Sequence, residues 1–308
     1  MYSTLFTTIV SILAVVIVFL FSVEKFSKQI QNLAGEKFKL AIQKSTDTPI
    51  KGVLVGTIVS SILQSSSAVS VILISLVEAG LLPFSNGLGV IIGTNIGTTI
   101  TSQLVAFKLL DIAPYILILG FILLKVKNKY QHLGKPIFYF GLIFSCLFII
   151  STITNNLNQN EILLSFVDRT SNLYIAIFAG FIISTILQSS SITTGIIVIL
   201  AGQSILNLDQ AFGILLGSNI GTTTTAILAS LVTGIQGKRI ALAHFLFNFI
   251  GVIIFIPFVG IFTEMISKLP LNTACLVATA HLLFNLVIGI IAIILFKQFN
   301  QLIRKIIR

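Results

Sequence analysis

The sequence predicts an all-α integral membrane protein made of two inverted repeats, each with a re-entrant helical hairpin and a broken transmembrane helix, giving about seven crossings plus two hairpins. Three observations predict it. The 308-residue chain is 56% hydrophobic and only 9% charged, with a mean hydropathy of +1.07, which places it among membrane proteins rather than soluble domains. A shift of 124 residues aligns the chain with itself, residues 54–107 falling on 178–231 with 21 identities in 54 positions. Two polar motifs, LQSSSAVS from Leu63 and LQSSSITT from Leu187, superpose under that shift and interrupt apolar stretches.

Apolar runs at about 5–23, 84–107, 109–124, 136–153, 208–231, 238–258 and 271–296 read as spans, each near the roughly 20 residues that a hydrocarbon core demands. The span at 109–124 is short and contains Pro114. No basic segment precedes the first run and no small-residue cleavage site follows it, so it is expected to persist as a helix. Residues 24–47 mix lysines with regularly spaced apolar side chains and predict a helix lying in the interface. The arms around the first QSSS, 52–63 and 68–79, are twelve residues each, about 18 Å of helix against a core of about 30 Å. Two such arms make a hairpin that enters and leaves by one face. Cys146 and Cys275 lie in apolar segments and predict buried thiols rather than a disulfide or metal site.

Charge fixes the orientation. Of 19 basic residues, 16 cluster at 25–51, 125–135, 238–239 and 297–308, beside spans. If neither hairpin crosses, all four clusters share one side and only Lys108, Arg169 and Lys268 lie opposite, as the positive-inside rule requires. The N-terminus is then outside and the C-terminus cytoplasmic, in a multi-pass plasma-membrane protein. The net charge of +10 is therefore not a nucleic-acid signal. Three crossings separate the hairpins, so the second opens on the opposite side. The predicted organisation is a first inverted repeat at 1–126, a second at 127–258, and an additional C-terminal transmembrane helix with a basic tail at 259–308. Inverted repeats with discontinuous helices are an architecture of secondary transporters, whose sites lie at the repeat interface near the midplane.

The hairpin serines can cap the second half-helix, whose free amides and dipole favour an anion. GTNIGTT at 93–99 and GSNIGTT at 217–223 follow the two hairpins. Their glycines permit close backbone approach and unusual conformations, although packing notches alone would also use them, just as interhelical hydrogen bonding alone would use the serines. No Asp, Glu, Lys or Arg falls in the middle of a predicted span, the nearest being Glu78. An anion carried without a fixed cation calls for a mobile one. Only His244 and His281 could serve proton coupling, and each has an asparagine four residues on, Asn248 and Asn285, a spacing that suits structural hydrogen bonding between helices. Glutamine, serine and threonine oxygens suit Na⁺. The residues thus point to Na⁺ with a small oxyanion, leaving open a dicarboxylate or a sensor that binds without flux. No carboxylate pair, metal-ligand cluster or serine with a base occurs in a span, so catalysis is not expected.

The twin QSSS motifs, the paired G-x-N-I-G-T-T segments and AHFLFN at 243–248 resemble the type II sodium/phosphate cotransporter family. The resemblance covers about 51–107 and 172–258. It implies a symporter of inorganic phosphate and Na⁺, in bacteria an inner-membrane protein, with no cofactor, no transition metal, no nucleic-acid partner, a lipid bilayer around it and a homodimer as a further assembly. Carried over by position, it implies phosphate binding by Gln64, Ser65, Ser66, Ser67, Gln188, Ser189, Ser190, Ser191, Asn95 and Asn219. For Na⁺ it implies Gln64, Ser65, Thr94, Thr98, Thr99, Gln188, Ser189, Ser218, Thr222 and Thr223.

Overall fold

Thr48 opens the first short helix by accepting the Lys51 amide on its hydroxyl (3.3 Å), and Pro49 takes the first helical position, where its missing N–H costs nothing. Such local signals set most of the elements in the computed structural model, which describes residues 2–44, 47–107, 109–126, 130–155, 165 and 167–308. The basic positions Lys108, Lys127 and Lys129 lie outside the described residues. The helices are α1 (Tyr2–Lys44), α2 (Pro49–Leu63), α3 (Ser66–Glu78), α4 (Phe84–Thr98), α5 (Ile100–Ala106), α6 (Leu109–Lys125) and α7 (Gln131–Asn155). They continue as α8 (Leu173–Leu187), α9 (Ser190–Gly202), α10 (Leu208–Gly221), α11 (Thr224–Ser230), α12 (Ile235–Phe255), α13 (Val259–Ser267), α14 (Thr273–Ile294) and α15 (Phe296–Ile306). A 3₁₀ turn at Ile256–Phe258 joins α12 to α13.

The chain is an all-α, multi-pass membrane protein. Among the described residues six helical segments are long and apolar enough to cross: Val10–Leu33, Phe84–Ala106, Gln131–Asn155, Leu208–Ser230, Ile235–Ser267 and Thr273–Ile294. The expected span at 109–124 forms α6, whose 17 residues reach about 26 Å.

One expectation is corrected outright. The first span and the interfacial helix expected at 24–47 join, as far as Lys44, in a single uninterrupted helix, α1, of 43 residues, and residues 45 and 46 lie outside the described ones. No proline occurs in it, and its one glycine, Gly35, sits twelve residues past Val23, so nothing breaks the backbone where hydropathy falls.

The 124-residue repeat is present in the backbone. α2 and α8 end on residues in the left-handed region, Gln64 at φ 52° and Gln188 at φ 50°. Two residues past the ends of α3 and α9 the chain is left-handed again, at Gly80 (φ 70°) and Ser204 (φ 59°). Neither glutamine is the glycine or asparagine usual at such an end.

The repeated glycines are packing notches. Gly56, Gly93 and Gly97 lay α4 on α2 so closely that a Cβ would strike the backbone carbonyls of Val90, Val53 and Thr57. Gly180, Gly217 and Gly221 do the same for α8 and α10, against Ile214, Ile177 and Phe181. These glycines are right-handed and helical, so the expectation that they adopt conformations closed to other residues fails. Their value is interaxial distance, which substitutes for a solvent-driven hydrophobic force inside lipid.

The expected breaks in α4–α5 and α10–α11 are slight. One residue, Thr99 (φ −67°, ψ −15°), separates the first pair, and two, Thr222 and Thr223, separate the second, both right-handed. Hydroxyls bond the loosened carbonyls: Thr98 to Asn95 (2.9 Å), Thr99 to Ile96 (2.7 Å) and Thr223 to Ile220 (2.7 Å). With those acceptors satisfied locally, the chain need not unwind further.

Behind the second repeat, Phe212, Phe255, Phe262 and Phe284 interlock from α10, α12, α13 and α14, ring centroids 4.9 to 6.1 Å apart. Glu78, at the end of α3, accepts the Gly237 amide (2.8 Å) in the first turn of α12, where a carboxylate meets the positive end of that helix. Cys146 and Cys275 are free and buried, as expected.

Candidate functional site

Because α2 ends left-handed at Gln64, the chain reverses and Ser65 can open α3, its hydroxyl accepting the Ala68 amide at 3.1 Å. The same backbone occurs at Gln188 and Ser189, yet Ser189 makes no such cap bond. The expectation that the serines cap both second arms therefore holds in the first repeat only.

All eight QSSS residues line one cavity of about 720 Å³. The remaining expected residues do not reach it. Thr94, Asn95, Thr98 and Thr99 are buried behind the first tip, and Ser218, Asn219, Thr222 and Thr223 behind the second.

The two tips are differently engaged. Thr101 donates to Gln64 Oε1 at 2.5 Å, Gln64 Nε2 donates to the Ser61 carbonyl at 2.5 Å, and Ser191 of the second tip donates to the Gln64 carbonyl at 3.1 Å. Gln64 is 9% exposed. Its counterpart Gln188 is exposed, and Thr225, which corresponds to Thr101, has an unpartnered buried hydroxyl. Gln64 is latched by Thr101, and Gln188 has no matching bond to Thr225, although Ser191 ties the second tip to the first.

Behind the tips the repeats also diverge. Thr94 and Asn95 bond carbonyls of their own helix, Val90 (2.8 Å) and Ile91 (3.0 Å). The matching Ser218 Oγ and Asn219 Nδ2 are buried without a partner, while Asn219 Oδ1 faces His281 Nε2 at 3.1 Å. His281 Nδ1 lies 3.4 Å from Ser102 Oγ, and His244 Nδ1 lies 3.0 Å from Ser70 Oγ. Asn248 and Asn285 bond the carbonyls of His244 and His281 in their own helices (3.0 and 2.9 Å). The histidines, not the asparagines, make the links between helices.

Sequence reasoning missed the opposite wall of the cavity. One face of α1, from Leu20 through Glu24, Ser27, Lys28 and Gln31 to Asn32, completes the lining, and Gln31 Nε2 donates to Ser27 Oγ at 3.2 Å. The polar spacing 24, 27, 28, 31 is that of one helix face. It becomes informative once the helix is known to run through Val23 unbroken.

The family model described as Na⁺/Pi-cotransporter matches residues 18–152 and 154–305, nearly the whole chain. The chain belongs to the Na⁺/Pi-cotransporter family. This family member is 33% identical to the uncharacterized protein YqeW of Bacillus subtilis (strain 168) over 275 residues, 88% of this chain and 89% of that one. It is 24% identical over 251 residues to an Escherichia coli (strain K12) protein, YjbB, provisionally named for inorganic phosphate export, covering 80% of this chain and 46% of that one. It is 45% identical over 85 residues to the human sodium-dependent phosphate transport protein 2C, 26% of this chain and 14% of the human one. The Na⁺/Pi-cotransporter chain thus spans about half the length of its phosphate-export relatives. No solved structure matches it.

Proposed function

We infer that the chain is a sodium-coupled symporter of inorganic phosphate in a bacterial inner membrane, working by alternating access. The observation that carries this reading is the convergence of both QSSS tips on one cavity. Gln64 to Ser67 and Gln188 to Ser191 supply neutral donors for the anion. Hydroxyl oxygens of Thr98, Thr99, Thr222 and Thr223 point their protons at carbonyls and keep lone pairs for Na⁺. Thr94, Asn95, Ser218 and Asn219 form the layer behind, and the unpartnered Ser218 hydroxyl and Asn219 amide are the groups with capacity to spare.

In this reading α2–α3 and α8–α9 are re-entrant hairpins, since arms of 15 and 13 residues reach only about 22 and 20 Å. α6 is the seventh crossing, which puts the four basic clusters on the cytoplasmic side with the N-terminus outside. The repeats occupy 1–126 and 127–258, followed by the unit at 259–308, and two copies form a dimer. The names of the human and E. coli relatives, sodium-dependent phosphate transport and inorganic phosphate export, support this substrate. Either direction of net flux is open to a gradient-driven carrier.

The test is uptake of radiolabelled phosphate into proteoliposomes under an inward Na⁺ gradient or with K⁺ in its place. Uptake is expected to require Na⁺ and to fall by roughly tenfold or more in Gln188→Ala, about the loss of one charge-assisted hydrogen bond to the anion. Uptake indifferent to Na⁺ overturns the coupling. Stronger competition by sulfate or succinate than by arsenate overturns the substrate, and phosphate binding without flux makes the chain a sensor.

A further inference from the structure

Glu24 and Lys28 are the two ionisable side chains lining the cavity. They stand one helical turn apart on α1, both exposed. A glutamate four residues before a lysine is the favourable arrangement for a helix ion pair, yet these two do not form one. The ion pairs among the described residues are Lys39–Glu36, Lys51–Asp47 and Lys268–Glu264. The neighbouring Lys25 sits over the Phe21 ring, 5.1 Å from its centroid. Glu24 and Lys28 thus keep their charges free toward a space that both serine tips share.

The matching positions of the other repeat carry no charge. The shift of 124 residues that superposes the tips lays α7 on α1, Phe148 on Glu24 and Thr152 on Lys28, while Ser151 matches Ser27. Thr152 donates to the Phe148 carbonyl at 3.0 Å, and Phe148 is exposed. An inverted repeat carries one mouth of the pathway onto the other. In that reading the cytoplasmic mouth has a carboxylate and an ammonium at positions where the other repeat carries a phenyl ring and a hydroxyl. The asymmetry agrees with the cavity itself, which is walled by the charged helix and not by α7.

We propose that Glu24 and Lys28 form a one-sided vestibule in which Lys28 attracts and holds the phosphate anion and Glu24 attracts Na⁺, so that affinity for both ions is higher from the cytoplasmic face than from the outer face. The proposal rests on the transport reading above. Its physical basis is that a fixed charge beside a low-dielectric wall acts on a nearby ion more strongly than in bulk water, and that an oxyanion and a cation need charges of opposite sign. Lys28 and Glu24 position the ions ahead of the serine tips and replace none of the tip contacts.

The experiment uses full-length protein reconstituted in one orientation, with phosphate and Na⁺ half-saturation measured from each face. Lys28→Gln is expected to raise the phosphate KM roughly fivefold at the cytoplasmic face and leave the outer face unchanged, with Lys28→Arg restoring it. Glu24→Gln is expected to raise the Na⁺ half-saturation at the same face without a matching rise in phosphate KM. Both effects shrink between about 0.05 and 0.5 M inert salt, as screening shortens the reach of the charges. An unchanged phosphate KM in Lys28→Gln, or an equal rise at both faces, overturns the vestibule. Absence of Na⁺-driven flux in the unsubstituted protein overturns the transport reading instead, so the two failures are distinguishable. Both side chains are exposed, and a monodisperse elution profile for each variant separates a binding effect from misfolding.

Discussion

Gly217→Ala is expected to destabilise the protein more than any other single methyl group added to its repeats. The new Cβ would penetrate the Ile177 carbonyl and lie 2.8 Å from the Phe181 amide nitrogen. Both obstacles are backbone, and no rotamer change can clear them. α8 and α10 must separate along their length, losing the close approach that holds small-residue interfaces together in lipid. Overpacking typically costs 1–3 kcal/mol and can cost more; with two helices forced apart, we expect about 3 kcal/mol or above, a large share of a net stability of about 5–15 kcal/mol. The measurement is thermal denaturation in detergent, with Gly260→Ala as the control, because a Cβ at Gly260 meets nothing within 4 Å. Gly93→Ala, the repeat-related change, should behave like Gly217→Ala. A Gly217→Ala protein melting with the unsubstituted one would show that the helices are not in backbone contact.

The second large effect is expected at the latched tip. Gln64→Gly keeps the left-handed backbone, and even relieves the roughly 1–2 kcal/mol that a side chain costs there, while deleting the bonds to Thr101 and Ser61. It leaves the Thr101 hydroxyl buried without its short acceptor, a loss of about 1–3 kcal/mol. The variant should therefore fold and yet lose Na⁺-dependent phosphate uptake by roughly a hundredfold, the scale of two lost hydrogen bonds in a site of low dielectric. Thr101→Val removes the partner while keeping its shape. If the latch is one unit, the double variant is no worse than Gln64→Gly alone, and additive losses would mean that the residues act separately. At the second tip, Gln188→Gly should change stability less, since no buried bond to Thr225 is present to be lost.

The tips were legible in the sequence because duplication singles them out. A lone QSSS in a membrane helix is an ordinary interhelical polar patch, but two copies 124 residues apart demand a shared role, and the family match bears out the family that they resemble. The left-handed glutamines were not legible, because glutamine has no preference for that region and only tertiary packing places it there. The breaks at Thr99 and Thr222–Thr223 were overestimated. GTNIGTT looks like loop chemistry on propensity, and its glycines instead serve close helix contact while its threonines close the carbonyls from within. Glu24 and Lys28 were hidden by their own charge. In a segment rich in lysines, local hydropathy assigns a helix to the interface, whereas the backbone sees no reason to stop at Val23 and carries the charged face to the cavity.

The length of α1 has a mechanical meaning. Its 43 residues make a rod of about 65 Å, more than twice the hydrocarbon thickness of about 30 Å. The rod passes the cavity at Leu20 to Asn32 and continues for three further turns through Lys37, Lys39 and Lys44. The cavity-lining stretch, 20–32, and the lysine-bearing stretch beyond it, 33–44, are nearly equal lengths of one helix, about 20 and 18 Å. No joint separates the two stretches, so a tilt of the lysine-bearing end is also a tilt of the wall that faces the serine tips.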